Sequence, residues 1–193
     1  MPTVCVFCAS SPGHRPVFMQ CARDTGTLLA RAGFDLVYGG GKLGLMGAVA
    51  DATMAAGGRA VGVIPRFMCS IERDHPGLSE LHLVSTMHER KALMAERADG
   101  FIALPGGFGT FDELCEIVAW SQLKLHHKPV VVVNLDGYFD GLLQQMNRGV
   151  SEGLIPRATA ESMVVVTDVA AAVSHLTGAI KPGRHETGNF GVV

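Results

Sequence analysis

The chain has 193 residues, with sixteen Lys and Arg against eighteen Asp and Glu for a formal charge of −2. That length suits one compact domain, and that charge supplies no global basic field to hold nucleic acid or an anionic membrane. Hydrophobic residues at 48% and charged residues at 18% exclude disorder and coiled coil, and such a core needs neither disulfides nor a structural metal.

The first predicted element is an apolar strand, Thr3–Cys8. The chain enters it without the basic start and long apolar stretch of a secretory signal, so a cytoplasmic protein is expected. Cys5 and Cys8 spell CxxC, but residues three apart on a strand face opposite sides, which disfavours a redox pair or shared metal. In order then come a helix over Val17–Ala32, strand Asp35–Tyr38, helix Leu45–Ala56 and strand Arg59–Ile64. An irregular stretch, Pro65–Glu80, leads to strand Leu81–Ser85, helix Met87–Ala98, strand Gly100–Leu104 and helix Thr110–Leu125. Strand Pro129–Asn134, helix Phe139–Glu152, strand Met163–Val166 and helix Val169–Leu176 complete the pattern. The domain is expected to span residues 1–180, and residues 181–193, which lack periodicity, are expected to form a disordered tail. No apolar run approaches the ~18 residues of a membrane helix.

Strands apolar on both faces, separated by helices, call for an α/β fold: a Rossmann-like doubly wound parallel sheet with helices on both faces, in a single domain. In such a sheet ligands sit beyond the carboxyl ends of the strands, so the glycine-rich turns there map the expected site. The first strand ends in Ala9-Ser10-Ser11, where Ser10 is a candidate donor to phosphate or ribose. The second ends in Gly39-Gly40-Gly41-Lys42-Leu43-Gly44, which fits GxGxxG. Without an acidic residue at the next strand end a dinucleotide site is disfavoured. Gly40 and Gly41 then either approach a nucleotide or sugar phosphate or serve tight strand-to-helix packing.

The sequence Pro105-Gly106-Gly107-Phe108-Gly109-Thr110 leaves the backbone free to wrap an oxyanion before a helix that Thr110 opens. Glu113, placed on that helix's first turn, would stay ionised and suits a base or cation stabiliser. The competing reading makes Thr110-x-x-Glu113 a capping box, which leaves the glycines unexplained. On the helix beginning at Met87, a 100° step puts Met87, Arg90, Lys91 and Met94 on one stripe. Arg90 reads as a planar clamp for phosphate or carboxylate, and Lys91 as a nearby point charge, unless both merely snorkel from the edge. The histidines show no metal-ligand spacing, and no metal or cofactor is expected.

Together, Tyr38-Gly39-Gly40-Gly41 through Gly44-Leu45-Met46-Gly47, Met87-x-x-Arg90-Lys91 and Pro105-Gly106-Gly107-x-Gly109-Thr110-x-x-Glu113 closely resemble the LOG (Lonely Guy) family, over roughly residues 3 to 175. These are cytokinin riboside 5′-monophosphate phosphoribohydrolases. The resemblance implies hydrolysis of the N-glycosidic bond of N6-substituted AMP, with AMP itself a further candidate, to free base and ribose 5-phosphate. It implies that Arg90 and Glu113 are catalytic and that Gly106, Gly107, Gly109 and Thr110 hold the phosphate. Counting back from Arg90 without gaps, it places Glu72 against substrate. A homodimer with the site near the subunit interface is implied as well; the charge and the lack of basic residues interleaved with aromatics already leave neither nucleic acid nor membrane as an expected partner. Two departures, Ala9 where relatives commonly have Gly and Ala119 where some have Thr, bear on recognition rather than on the reaction. The alternative is a non-catalytic nucleotide or molybdenum-cofactor carrier on the same fold.

Overall fold

Strand β1, Thr3–Phe7, sends Val4 and Val6 to one face of the sheet and Cys5 and Phe7 to the other, and all four side chains are buried. A strand apolar on both faces has to be covered on both, and here it is. On one side lie α1 (Pro16–Arg31), α2 (Gly44–Ala55) and α7 (Val169–Ala179), packing Leu29, Val49 and Leu176 against Val4 and Val6. On the other lie α3 (Met87–Arg97), α4 (Phe108–Gln122) and α5 (Asp140–Ser151), with Met94 and Leu114 against Cys5 and Phe7. Cys5 and Cys8 therefore belong to opposite cores, as their spacing requires. The computed structural model describes residues 1–181 and Phe190; the Glu72 and Arg73 side chains lie outside the described residues.

The remaining strands are β2 (Asp35–Tyr38), β3 (Ala60–Pro65), β4 (Glu80–Val84), β5 (Gly100–Ala103), β6 (Val130–Val133) and β7 (Met163–Val166). All seven pair in parallel in the order β4-β3-β2-β1-β5-β6-β7. The chain winds outward one way from β1 to β4, then returns to β5 beside β1 and winds the other way. The crevice outside the carboxyl ends of β1 and β5 is thus the switch point at which such sheets bind ligands.

The structure differs from the sequence reading at three places. Helix α4 begins at Phe108 with Gly107 as its N-cap, so Thr110 is its third residue and Glu113 lies in its second turn. Thr110 is therefore not the cap of a capping box, and the helix dipole, which fades beyond the first turn, contributes less to Glu113 than expected. A short helix, α6 (Arg157–Glu161), had no periodicity to announce it. The connection expected to be irregular holds a 3-10 turn, Arg66–Met68, and a π-helical turn, Cys69–Arg73. It is pinned back by His75, whose amide donates to the Gly40 carbonyl at 3.1 Å and whose Nε2 meets Asp51 Oδ1 at 2.9 Å. Of the tail expected to be disordered, residues 182–189 and 191–193 lie outside the described residues. The Phe190 ring packs 5.3 Å from Trp120.

Candidate active site

Helix α3 is set by its first turn: Thr86 accepts from the Glu89 amide at 3.1 Å, and Glu89 accepts from the Ser85 amide at 2.7 Å. That reciprocal cap fixes which residues point inward. Met94 and Ala95 enter the core, and Arg90, one turn earlier on the same stripe, is carried in with them to 4% exposure. Its Nε donates to the Val63 carbonyl at 3.2 Å and its Nη2 to the Gly39 carbonyl at 3.0 Å. The guanidinium is thus held by the carboxyl ends of β3 and β2. Gly39 makes the approach possible, since a Cβ there would stand 1.9 Å from Nη2.

Lys91, next in sequence, turns toward α4 instead. Its ammonium lies 3.0 Å from Asp112 and 3.1 Å from Glu116. Burial alone would push Lys91 down, but hydrogen bonds to these carboxylates outweigh it and hold its pKa above the usual lysine value. It locks α3, which carries Arg90, to α4, which carries Glu113.

The three glycines around the start of α4 do not share one reason. Gly106 is buried beneath Thr110, whose hydroxyl would sit 1.9 Å from a Cβ at that position. Gly107 and Gly109 have nothing within 4 Å of such a Cβ, so protein packing does not require glycine there. Open space over two glycines, beside main-chain amides that the helix cannot satisfy internally, is a cradle for an anion.

Ser10, Gly39, Arg90, Gly107, Thr110 and Glu113 line one cavity of about 250 Å³ in the crevice between β1 and β5, and Gly109 stands at the same wall. Gly40 and Gly41 are buried away from it: Gly40, at φ +77°, packs on Val63 and Ile64, and Gly41 bridges Asp74. Gly106 and Lys91 lie outside this lining, and the Glu72 side chain lies outside the described residues. Gly39 was legible only as part of a glycine run; its partner Arg90 is far along the chain, and only the fold brings them together. Among the described residues no cluster of three His, Cys, Asp or Glu is placed to hold a metal ion. Beneath the cavity, burial first and Glu113 second push the Cys5 thiol well above its ordinary pKa, so it stays protonated.

A neighbouring cavity of about 350 Å³ shares Ala9, Ser11 and Gly107 with the first and continues to Phe18 and Tyr138. Ala9 joins three turns through its main chain. Its amide donates to Pro105 at 3.3 Å, and its carbonyl accepts from the Met46 amide at 3.2 Å. Gly44, at φ +59°, lets the turn after β2 press against that after β1, where a Cβ would stand 2.4 Å from the Ser10 carbonyl carbon.

A family model described as possible lysine decarboxylase matches residues 46–176. The chain is 46% identical, over 89% of its length and 87% of the relative's, to a cytokinin riboside 5′-monophosphate phosphoribohydrolase of Rhodococcoides fascians. A probable enzyme of the same name from Oryza sativa subsp. japonica is 49% identical over 79% of this chain, which spans 62% of that longer relative. An Arabidopsis thaliana enzyme of that name is 44% identical over 84% of the chain and 76% of its own length. Among solved structures, the molybdenum cofactor binding protein of Rippkaea orientalis superposes with a TM-score of 0.69 at 20% identity, covering 93% of this chain and 98% of that one. The molybdenum cofactor carrier protein of Chlamydomonas reinhardtii gives 0.66 at 21% identity over 92% and 96%. At such identities these two likenesses concern the fold.

Proposed function

The chain belongs to the LOG family, the one whose model is described as possible lysine decarboxylase, and from that membership we propose that it hydrolyses the N-glycosidic bond of cytokinin riboside 5′-monophosphates. Water adds to C1′, the bond from C1′ to the purine nitrogen breaks, a proton reaches the departing base, and free base and ribose 5-phosphate result. The observation that carries this reading is the convergence of Arg90 from α3 and Glu113 from α4 on one cavity beside the amides that open α4.

Each part supplies something the reaction needs. The amides of Gly107, Phe108 and Gly109, with the Thr110 hydroxyl, bind the 5′-phosphate and fix the ribose, so that attack by water becomes effectively unimolecular. As the bond breaks, C1′ and the ring oxygen share a positive charge, and the Glu113 carboxylate stabilises it while orienting the water. Arg90, rigid on its two carbonyls, holds substrate and carboxylate in register. Glu72 belongs to this proposal through the family's pattern, whereas the buried Gly40 and Gly41 support the site from behind.

Incubation with isopentenyladenosine monophosphate, its riboside and AMP tests the reading. Release of free base and ribose 5-phosphate from a monophosphate is the expected result, and no release from either monophosphate overturns it. The alternative, a non-catalytic carrier, rests on fold likeness alone; tight binding of a monophosphate without turnover would establish it.

We also propose a cytoplasmic homodimer. Strand β4 is a sheet edge carrying Leu83 at 43% exposure, and the connection before it exposes Phe67 at 57% and Ile71 at 68%. A second copy covering these side chains removes apolar surface from water beside the element that contacts Arg90. Sedimentation equilibrium is expected to give twice the chain mass, and a particle of 20.4 kDa would refute the dimer.

A further inference from the structure

We propose that Tyr138 is a positioning residue for the anion-binding turn and acts through the peptide between Gly106 and Gly107, an inference that rests on the phosphoribohydrolase reading above. The Tyr138 hydroxyl donates to the Gly106 carbonyl at 2.6 Å. In a trans peptide the carbonyl of one residue and the N–H of the next point in opposite directions. The phenol draws the Gly106 oxygen toward the cavity that both residues line, next to Phe18. The Gly107 N–H therefore points away from that oxygen, and Gly107 also lines the cavity that holds Arg90 and Glu113.

That orientation needs a restraint. Two consecutive glycines have no side chains to resist rotation of the peptide joining them; Gly106 packs beneath Thr110 and the Gly107 carbonyl accepts from the Phe111 amide at 3.0 Å, but neither contact holds the Gly106 oxygen. Tyr138 is itself fixed on several sides. Phe18 meets its ring edge-on at 5.6 Å and Phe139 at 5.2 Å. Arg15 lies over the Phe18 ring at 5.4 Å and pairs with Asp136, two residues before Tyr138. Asn134 accepts from the Phe139 amide at 2.7 Å and donates to Asp140 at 2.7 Å, which holds the turn after β6 in shape. Tyr138 as a whole is 41% exposed, and its hydrogen bond to Gly106 is only partly buried. Its hydrogen bond aims a donor that the substrate's phosphate uses.

Tyr138→Phe keeps the ring contacts and removes only the hydroxyl. For the monophosphate that the wild-type enzyme hydrolyses, KM is expected to rise about tenfold, the scale of one misplaced hydrogen bond, with kcat within about twofold. Product inhibition separates positioning from general damage: the inhibition constant of ribose 5-phosphate should rise with KM, while that of the free base should not move. An unchanged KM overturns the proposal, and so does a rise shared equally by both products. The wild-type arm stands apart, because failure of the unmodified protein to release base counts against the phosphoribohydrolase reading rather than against the tyrosine. Thermal melting of both proteins confirms that the variant remains folded.

Discussion

Glu113→Gln is expected to lower kcat for base release by about a thousandfold while leaving the melting temperature close to wild type. The substitution keeps the size and shape of a half-buried side chain on the second turn of α4, so the surrounding packing should be little disturbed. What it removes is the negative charge that the proposed mechanism sets against the ribose. Loss of one preorganised electrostatic partner of a charged transition state typically costs about 10²–10³ in rate, and a neutral amide also orients water less strongly. Because that charge matters most once C1′ has become cationic, the change should fall on kcat and leave KM nearly untouched. Steady-state kinetics with isopentenyladenosine monophosphate, beside a melting curve, decide it. Turnover within tenfold of wild type would remove Glu113 from the chemistry.

The second large effect is expected from a methyl group. Gly39→Ala places a Cβ 1.9 Å from Arg90 Nη2 and 3.1 Å from the Met46 sulfur. The guanidinium must then leave the Gly39 carbonyl, to which it now donates at 3.0 Å. Overpacking of this kind costs about 1–3 kcal/mol, which a domain of ordinary stability survives. Activity should suffer more than folding, since displacement of a catalytic group by about 1 Å can cost about 10² in rate. A folded variant with a hundredfold lower kcat/KM and a displaced Arg90 side chain in its crystal structure is the expected outcome. Wild-type kinetics would show that the reaction does not depend on where this arginine stands.

The contrast between Arg90 and Lys91 marks how far the sequence could be read. Helical periodicity puts both on the stripe with Met87 and Met94, and at that level they are equivalent. The fold divides them: Arg90 meets strand-end carbonyls, whereas Lys91 meets Asp112 and Glu116 of α4. Strand positions and the doubly wound sheet were legible because β1, β5 and β6 are apolar on both faces, which few other arrangements tolerate. The start of α4 was not, because glycine is a poor helix former and the expected boundary was drawn after Gly109; the chain enters the helix at Phe108 all the same. The pairings of Gly39 with Arg90 and of Gly106 with Tyr138 carry no local signature. They exist only once the strand ends are side by side.

The joint at Ala9 limits how this molecule can diversify. With its amide and carbonyl both committed, one to Pro105 and one to Met46, the backbone there tolerates little rearrangement, but the residue lines both of two adjoining chambers. Trimming its methyl group to hydrogen or enlarging it alters the lining of both while the acid and the guanidinium keep their stations. A lineage can therefore alter which molecules it admits by a change that leaves its charged side chains untouched.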